Sequence, residues 1–153
     1  MEELMELRTL LIGGNISDAL LLVEEMTEMS KDDKQNRISS FAKILLLHLI
    51  KRQAEGKTTR SWDASIDNAV YEIQKTNRRR KAGGAYLSTE ELREAVADAY
   101  HVAMSGAAAE AFGGCYTVVQ LAAMVDRSEM IDKAIDLIIG GDARSIESKL
   151  RNQ

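Results

Sequence analysis

Two histidines, one cysteine and a run of cations are the residues of this chain best suited to chemistry. His48 stands inside Leu46-Leu47-His48-Leu49, in the most apolar stretch of the sequence. Imidazole titrates near neutral pH, so His48 is a candidate general base or metal ligand. Glu24 and Glu28, four apart and hence on one helical face, are its candidate partners if a preceding helix runs antiparallel to it. The structural alternative is a core histidine hydrogen-bonded to a carboxylate or carbonyl, because buried polar groups need partners.

Spacing argues against the better-known histidine sites. A di-metal bundle pairs carboxylates with Glu-x-x-His motifs, yet Leu45 precedes His48 by three residues and Asp98 precedes His101. No metal site and no cofactor is expected. Arg37 and Arg93 stand too far before His48 and His101 for the Arg-x(4–6)-His pattern of helical ribonucleases. Cys115 follows Gly113-Gly114, and burial as a small apolar residue is its expected role. Gly13-Gly14-Asn15-Ile16-Ser17 lacks the lysine and preceding strand of a phosphate loop. Trp62 reads as a core anchor whose indole N–H needs an acceptor.

The cations Lys75, Arg78, Arg79, Arg80 and Lys81 form the sharpest charge feature. With Lys51, Arg52, Lys57 and Arg60 they could build a phosphate-binding face, which sequence-independent nucleic-acid binding requires. Cations at a helix C-terminus are also favoured by the helix dipole, by ~0.3–1 kcal/mol each. Only Tyr71 and Tyr86 are near enough in sequence to stack bases. The side-chain charge is −5 over residues 1–42, +6 over 43–81 and −5 over 82–153. That pattern suits internal complementation, a basic middle attracting its own acidic flanks, as well as a nucleic-acid surface.

The elements that must position these residues read as helices throughout. Leu4, Leu7, Leu10 and Leu11 form one stripe, closed by Gly13-Gly14. A second helix starts near Ser17, with Ile16 and Leu21 as its staple, and ends near Ser30. The third, about 31–54, carries apolar residues nearly all round, which predicts a central position in a bundle. A fourth spans about 61–78, with Trp62, Ile66, Ala69, Val70 and Ile73 on one face. Ser88-Thr89-Glu90-Glu91 and Thr117-Val118-Val119-Gln120 are capping boxes. The first opens an alanine-rich helix to about Phe112, with Ala95, Ala99, Ala103 and Ala107 on one face. A short helix, about 118–125, leads to one over 128–139. Gly140-Gly141 is expected to end that helix before a last short one. The reading is an all-α single bundle of six or seven helices, one domain over 1–153 with a core at 4–125 and a helical extension at 126–153.

The segments Leu22-Val23-Glu24-Glu25-Met26, Met29-Ser30-Lys31, Leu45-Leu46-Leu47-His48-Leu49-Ile50-Lys51 and Arg60-Ser61-Trp62 with Ile66 stand in a familiar order. Over about residues 4–123 the chain resembles the twenty-ninth family of domains of unknown function, small helical proteins mostly of cyanobacteria and other bacteria. It departs from the family pattern at Thr27, where a third acid is usual, and at Arg52, where tryptophan is usual. The family's Asn-Pro-Ser-Leu segment corresponds to 77–87 with an inserted basic stretch, and Cys115-Tyr116-Thr117 lacks the family's proline. The resemblance implies a helical bundle and brings no mechanism.

No proline occurs, and no stretch reaches the ~20 apolar residues that span a bilayer. The acidic Met1-Glu2-Glu3-Leu4 start is unlike a secretory signal, and a single cysteine excludes a disulfide framework. A cytoplasmic protein with no membrane partner is expected. The surplus of apolar and methionine positions points to a non-enzymatic protein-interaction domain that self-associates. A nucleic-acid-binding regulator acting through residues 75–81 is the alternative, and an enzyme centred on His48 with Glu24 or Glu28 is the third.

Overall fold

The computed structural model describes residues 2–79 and 83–151, the stretch 141–151 through its helical backbone. Six α-helices occur among the described residues: α1 (Glu2–Ile12), α2 (Ile16–Glu55), α3 (Arg60–Asn77), α4 (Thr89–Glu110), α5 (Val118–Ala122) and α6 (Arg127–Arg151). A 3-10 turn, Ala111–Gly114, follows α4. The only extended pairing among the described residues is a bridge between Arg78 and Ala85. The fold class is all-α. The chain forms two compact units, Met1–Lys34 and Gln35–Gln153.

The first unit holds α1 and the first half of α2, joined by a turn. Gly14 takes φ +75° at the turn, a conformation that costs glycine little. The Asn15 N–H donates back to the Leu10 carbonyl at 2.9 Å. Asn15, not Ser17, caps α2: its side-chain oxygen accepts from the Asp18 N–H at 3.4 Å, and its amide donates to the Asp18 carboxylate at 2.7 Å. Ala19 and Leu22 are buried here, whereas α1 buries no residue.

α2 runs without interruption through the expected break at Ser30. Neither glycine nor proline stands between Ile16 and Glu55, so every backbone N–H after the first turn can find its i−4 carbonyl. Hydroxyls are absorbed into the helix, with Thr27 donating to the Val23 carbonyl at 2.8 Å and Ser40 to that of Asn36 at 3.1 Å. The expectation that residues 31–54 are buried nearly all round is not met. Ile38, Ala42, Leu45, Leu46, Leu49 and Ile50 are buried, but Phe41 and Leu47 are half-buried and Ile44 is exposed.

In the second unit these α2 residues meet Ile66, Ala69 and Ile73 of α3, the alanine face of α4, and Met130, Ile131, Ala134, Ile135 and Ile138 of α6 in one core. Ala95, Ala99, Ala103 and Ala107 are all buried. Their small side chains let α4 come close: a Cβ added at Gly106 would stand 2.7 Å from Leu47 Cδ1. Four residues further along each helix, Lys51 meets Glu110, so α2 and α4 run in the same direction here. The capping boxes form as expected, Ser88 with Glu91 and Thr117 with Gln120.

A further boundary differs from the sequence reading. Gly140-Gly141 does not end a helix; α6 continues through the pair to Arg151. Its preceding turns are anchored by five buried apolar residues, and that packing outweighs the ~1 kcal/mol per residue that glycine costs a helix. The segment beyond 126 therefore supplies core residues through α6. Cross-links reinforce it: Gln74 donates to the Ile138 carbonyl at 2.8 Å, and Arg93 meets Asp132 at 2.6 Å.

Candidate functional site

His48, Lys51, Trp62 and Glu110 converge within the second unit. His48 and Lys51 are three apart on α2 and so share a face. Trp62 enters at the start of α3, where Thr59 caps the helix by accepting from the Trp62 backbone N–H at 3.1 Å. Glu110 is the last residue of α4, beside the carbonyl end of the helix, where the dipole favours a cation.

The cation present there is Lys51. Its side chain is only 7% exposed, a position a lysine occupies only when its charge is compensated. The ammonium lies 4.4 Å from the centroid of the Trp62 ring and 3.9 Å from Glu110 Oε1. The aromatic face and the carboxylate together replace much of its lost hydration.

His48 is half-buried, and its Nδ1 is buried without a hydrogen-bond partner. Burial pushes the imidazole pKa below its ordinary value, and the Lys51 charge pushes it the same way; Glu110 opposes both more weakly. The side chain is thus held neutral beside a fixed cation. Among the described residues no carboxylate orients this imidazole by a hydrogen bond, as a general base in a triad requires.

The expected partners of His48 stand elsewhere. Glu24 and Glu28 lie on α2 itself, in the first unit, because the chain makes no turn between them and His48. His101 is exposed on α4. No group of three or more His, Cys, Asp or Glu suited to a metal occurs among the described residues. Cys115 is exposed, contrary to the burial expected for it. The turn before it, with Phe112, Gly113 and Gly114 all at positive φ, carries the chain outward, and Phe112 packs edge-on against Tyr116 at 4.9 Å.

Of the basic run, Lys75 lies in the last turn of α3, and Arg78 and Arg79 follow its end at Asn77. Arg80 and Lys81 lie outside the described residues. The described residues on either side of this stretch pair with each other. Arg79 N–H donates to the Gly84 carbonyl at 3.0 Å and Tyr86 N–H to that of Asn77 at 2.9 Å, while the Asn77 side chain accepts from Leu87 N–H at 2.8 Å. The Arg79 guanidinium lies over the Tyr86 ring at 5.8 Å. Three of the other four cations of the imagined phosphate face, Lys51, Arg52 and Lys57, are engaged within the chain. Arg52 stands 3.6 Å from Asp63, Lys57 4.0 Å from Glu55, and Lys51 is enclosed as described. Arg37, just upstream, pairs with Glu72 at 3.9 Å.

Sequence reasoning missed Glu110, whose only signal was an acid at the end of an alanine-rich helix. It also missed the pairing of Lys51 with Trp62, although both residues lie in the segments that carry the family resemblance. No described helix is long and apolar enough to cross a membrane.

No curated protein and no solved structure matches the chain. The model of one family, Domain of unknown function DUF29, matches residues 15–116, a stretch that holds His48, Lys51, Trp62 and Glu110. A match over that much of the 153 residues establishes membership, and the chain belongs to the DUF29 family.

Proposed function

We propose that this protein is a non-enzymatic interaction domain that self-associates through its N-terminal helices. One observation carries the reading. Nine large apolar side chains, Leu4, Met5, Leu11, Ile12, Ile16, Leu20, Leu21, Val23 and Met29, are 42–75% exposed in the first unit. Single exposed apolar residues are ordinary, but contiguous patches beyond a few hundred Å² mark interaction surfaces. On α2 a partner could cover Ile16, Leu20 and Val23 together, since they share one face of the helix, whereas Leu21 and Met29 stand on the side of Glu25.

The pattern suits a second copy. Ile16, Leu20 and Val23, at offsets of four and seven, form a stripe next to buried Ala19. Asp18, Glu25, Glu28 and Asp32 occupy the opposite side of the helix. Two copies can therefore pack α2 stripe on α2 stripe with most of their acids left in water. A unit of ~30 residues is too small to bury a core by itself, and pairing supplies the missing half.

Sedimentation equilibrium of the intact protein tests this. A concentration-dependent dimer that Leu20→Glu with Val23→Glu converts to a monomer, with the helical signal and melting of the second unit retained, supports the reading. A wild-type protein that stays strictly monomeric at every concentration overturns it. His48 without a carboxylate partner, and the engagement of Lys51, Arg52 and Lys57 within the chain, supply no comparable support for the enzymatic or nucleic-acid alternatives.

A further inference from the structure

The apolar stripe that suits a second copy sits in the most acidic part of the chain. Residues 1–34 hold nine carboxylates against three cations, a side-chain charge of −6. All nine carboxylates are exposed: Glu2, Glu3 and Glu6 on α1, and Asp18, Glu24, Glu25, Glu28, Asp32 and Asp33 on α2. Glu24, Glu28 and Asp32 follow one another at four-residue intervals, a column of like charges that repel within the helix. Glu24 stands one turn beyond Leu20, so the column begins at the rim of the apolar stripe.

Any pairing of two such units brings −6 against −6. Burial of the stripe favours the pair at short range, while the carboxylates oppose it over a distance set by the salt. The screening length is ~30 Å at 0.01 M and ~10 Å at 0.1 M. The repulsion thus spans a whole unit in dilute buffer and is confined to the rim in salt.

Resting on the self-association read above, we propose that the N-terminal carboxylates act as an electrostatic brake, so that assembly is weak at low ionic strength and tightens as salt rises. The sign is opposite to that of an interface held by ion pairs, and opposite to nucleic-acid binding, which weakens with salt.

The experiment measures the dimer dissociation constant of the full chain by sedimentation at ~20 mM and ~500 mM sodium chloride. It is repeated on the triple variant Glu24→Gln, Glu28→Gln, Asp32→Asn. The wild type is expected to tighten about tenfold over that range, and the variant to be tight at both salts with a much flatter response. A wild-type dimer equally strong at both salts overturns the brake and leaves self-association standing. Equal tightening of wild type and variant also overturns it, because salt then acts through apolar burial and not through these carboxylates. A monomer at both salts in both proteins removes the self-association and the brake together.

Discussion

The Lys51 ammonium lies 4.4 Å from the Trp62 ring centroid, held there across the turn between α2 and α3. This contact, with Glu110 at 3.9 Å from the same ammonium, ties three helices through one buried charge. Removing the ring strips the cation of its apolar-side compensation and deletes packing as well. Trp62→Ala is expected to destabilise the fold by roughly 2–4 kcal/mol, read from denaturant unfolding. Lys51→Met is expected to cost less, because Glu110 is half exposed and water can replace its partner. A double-mutant cycle of the two should show a coupling of ~0.5–2 kcal/mol. Zero coupling would mean that the contact contributes packing alone.

His48 makes stability depend on pH in a definite direction. Its folded pKa lies below the ordinary 6.5, so the unfolded chain binds the proton more readily than the fold does. Stability is therefore undiminished above 6.5 and falls as pH drops through that value toward the lower folded pKa. Unfolding midpoints measured from about pH 8 to about pH 5 should decline, and His48→Gln should remove part of that decline. Identical profiles for the two proteins would show that His48 is not the titrating group.

Local signals made much of the fold legible, and long-range ones hid the rest. Ser88 and Glu91, or Thr117 and Gln120, cap their helices with atoms three residues apart, and so they read directly from the sequence. Ser30 could not be read as the middle of a helix, because what carries α2 past it is the absence of any competing turn. Glu110 meets Lys51 only because the alanine face of α4 sets the register of two helices far apart in sequence. Cys115 was misplaced because its exposure follows from three successive residues at positive φ, including Phe112, a residue type that gives no hint of such a conformation. The candidate site was thus half visible: His48 stood out by type, while Glu110, which meets Lys51 beside it, did not.

Close approach of α4 to α2 depends on Gly106. An added methyl would meet Leu47 Cδ1 at 2.7 Å, but that atom ends a flexible, half-buried side chain. Gly106→Ala should therefore leave stability within about 1 kcal/mol, helix propensity offsetting the crowding. Gly106→Val cannot be absorbed by one rotamer change and should cost ~1–3 kcal/mol. Restoring the stability of the valine variant with Leu47→Ala would locate the strain at this crossing.

The glycine pairs separate helix ends from helix interiors, and one substitution in each of two pairs tests the distinction. Gly140 lies inside α6, and a Cβ there meets nothing within 4 Å. Gly140→Ala should raise stability by about 0.5–1 kcal/mol, because alanine loses less backbone entropy in the same helical conformation. Gly114 takes φ +80° after α4, and a Cβ there would stand 3.0 Å from the Ala109 carbonyl oxygen. Gly114→Ala should lower stability by ~1–2 kcal/mol through both effects. Thermal melts of the two variants should shift in opposite directions. If both lower the melting temperature, the chain turns at Gly140-Gly141 as it does at Gly113-Gly114, and α6 ends there.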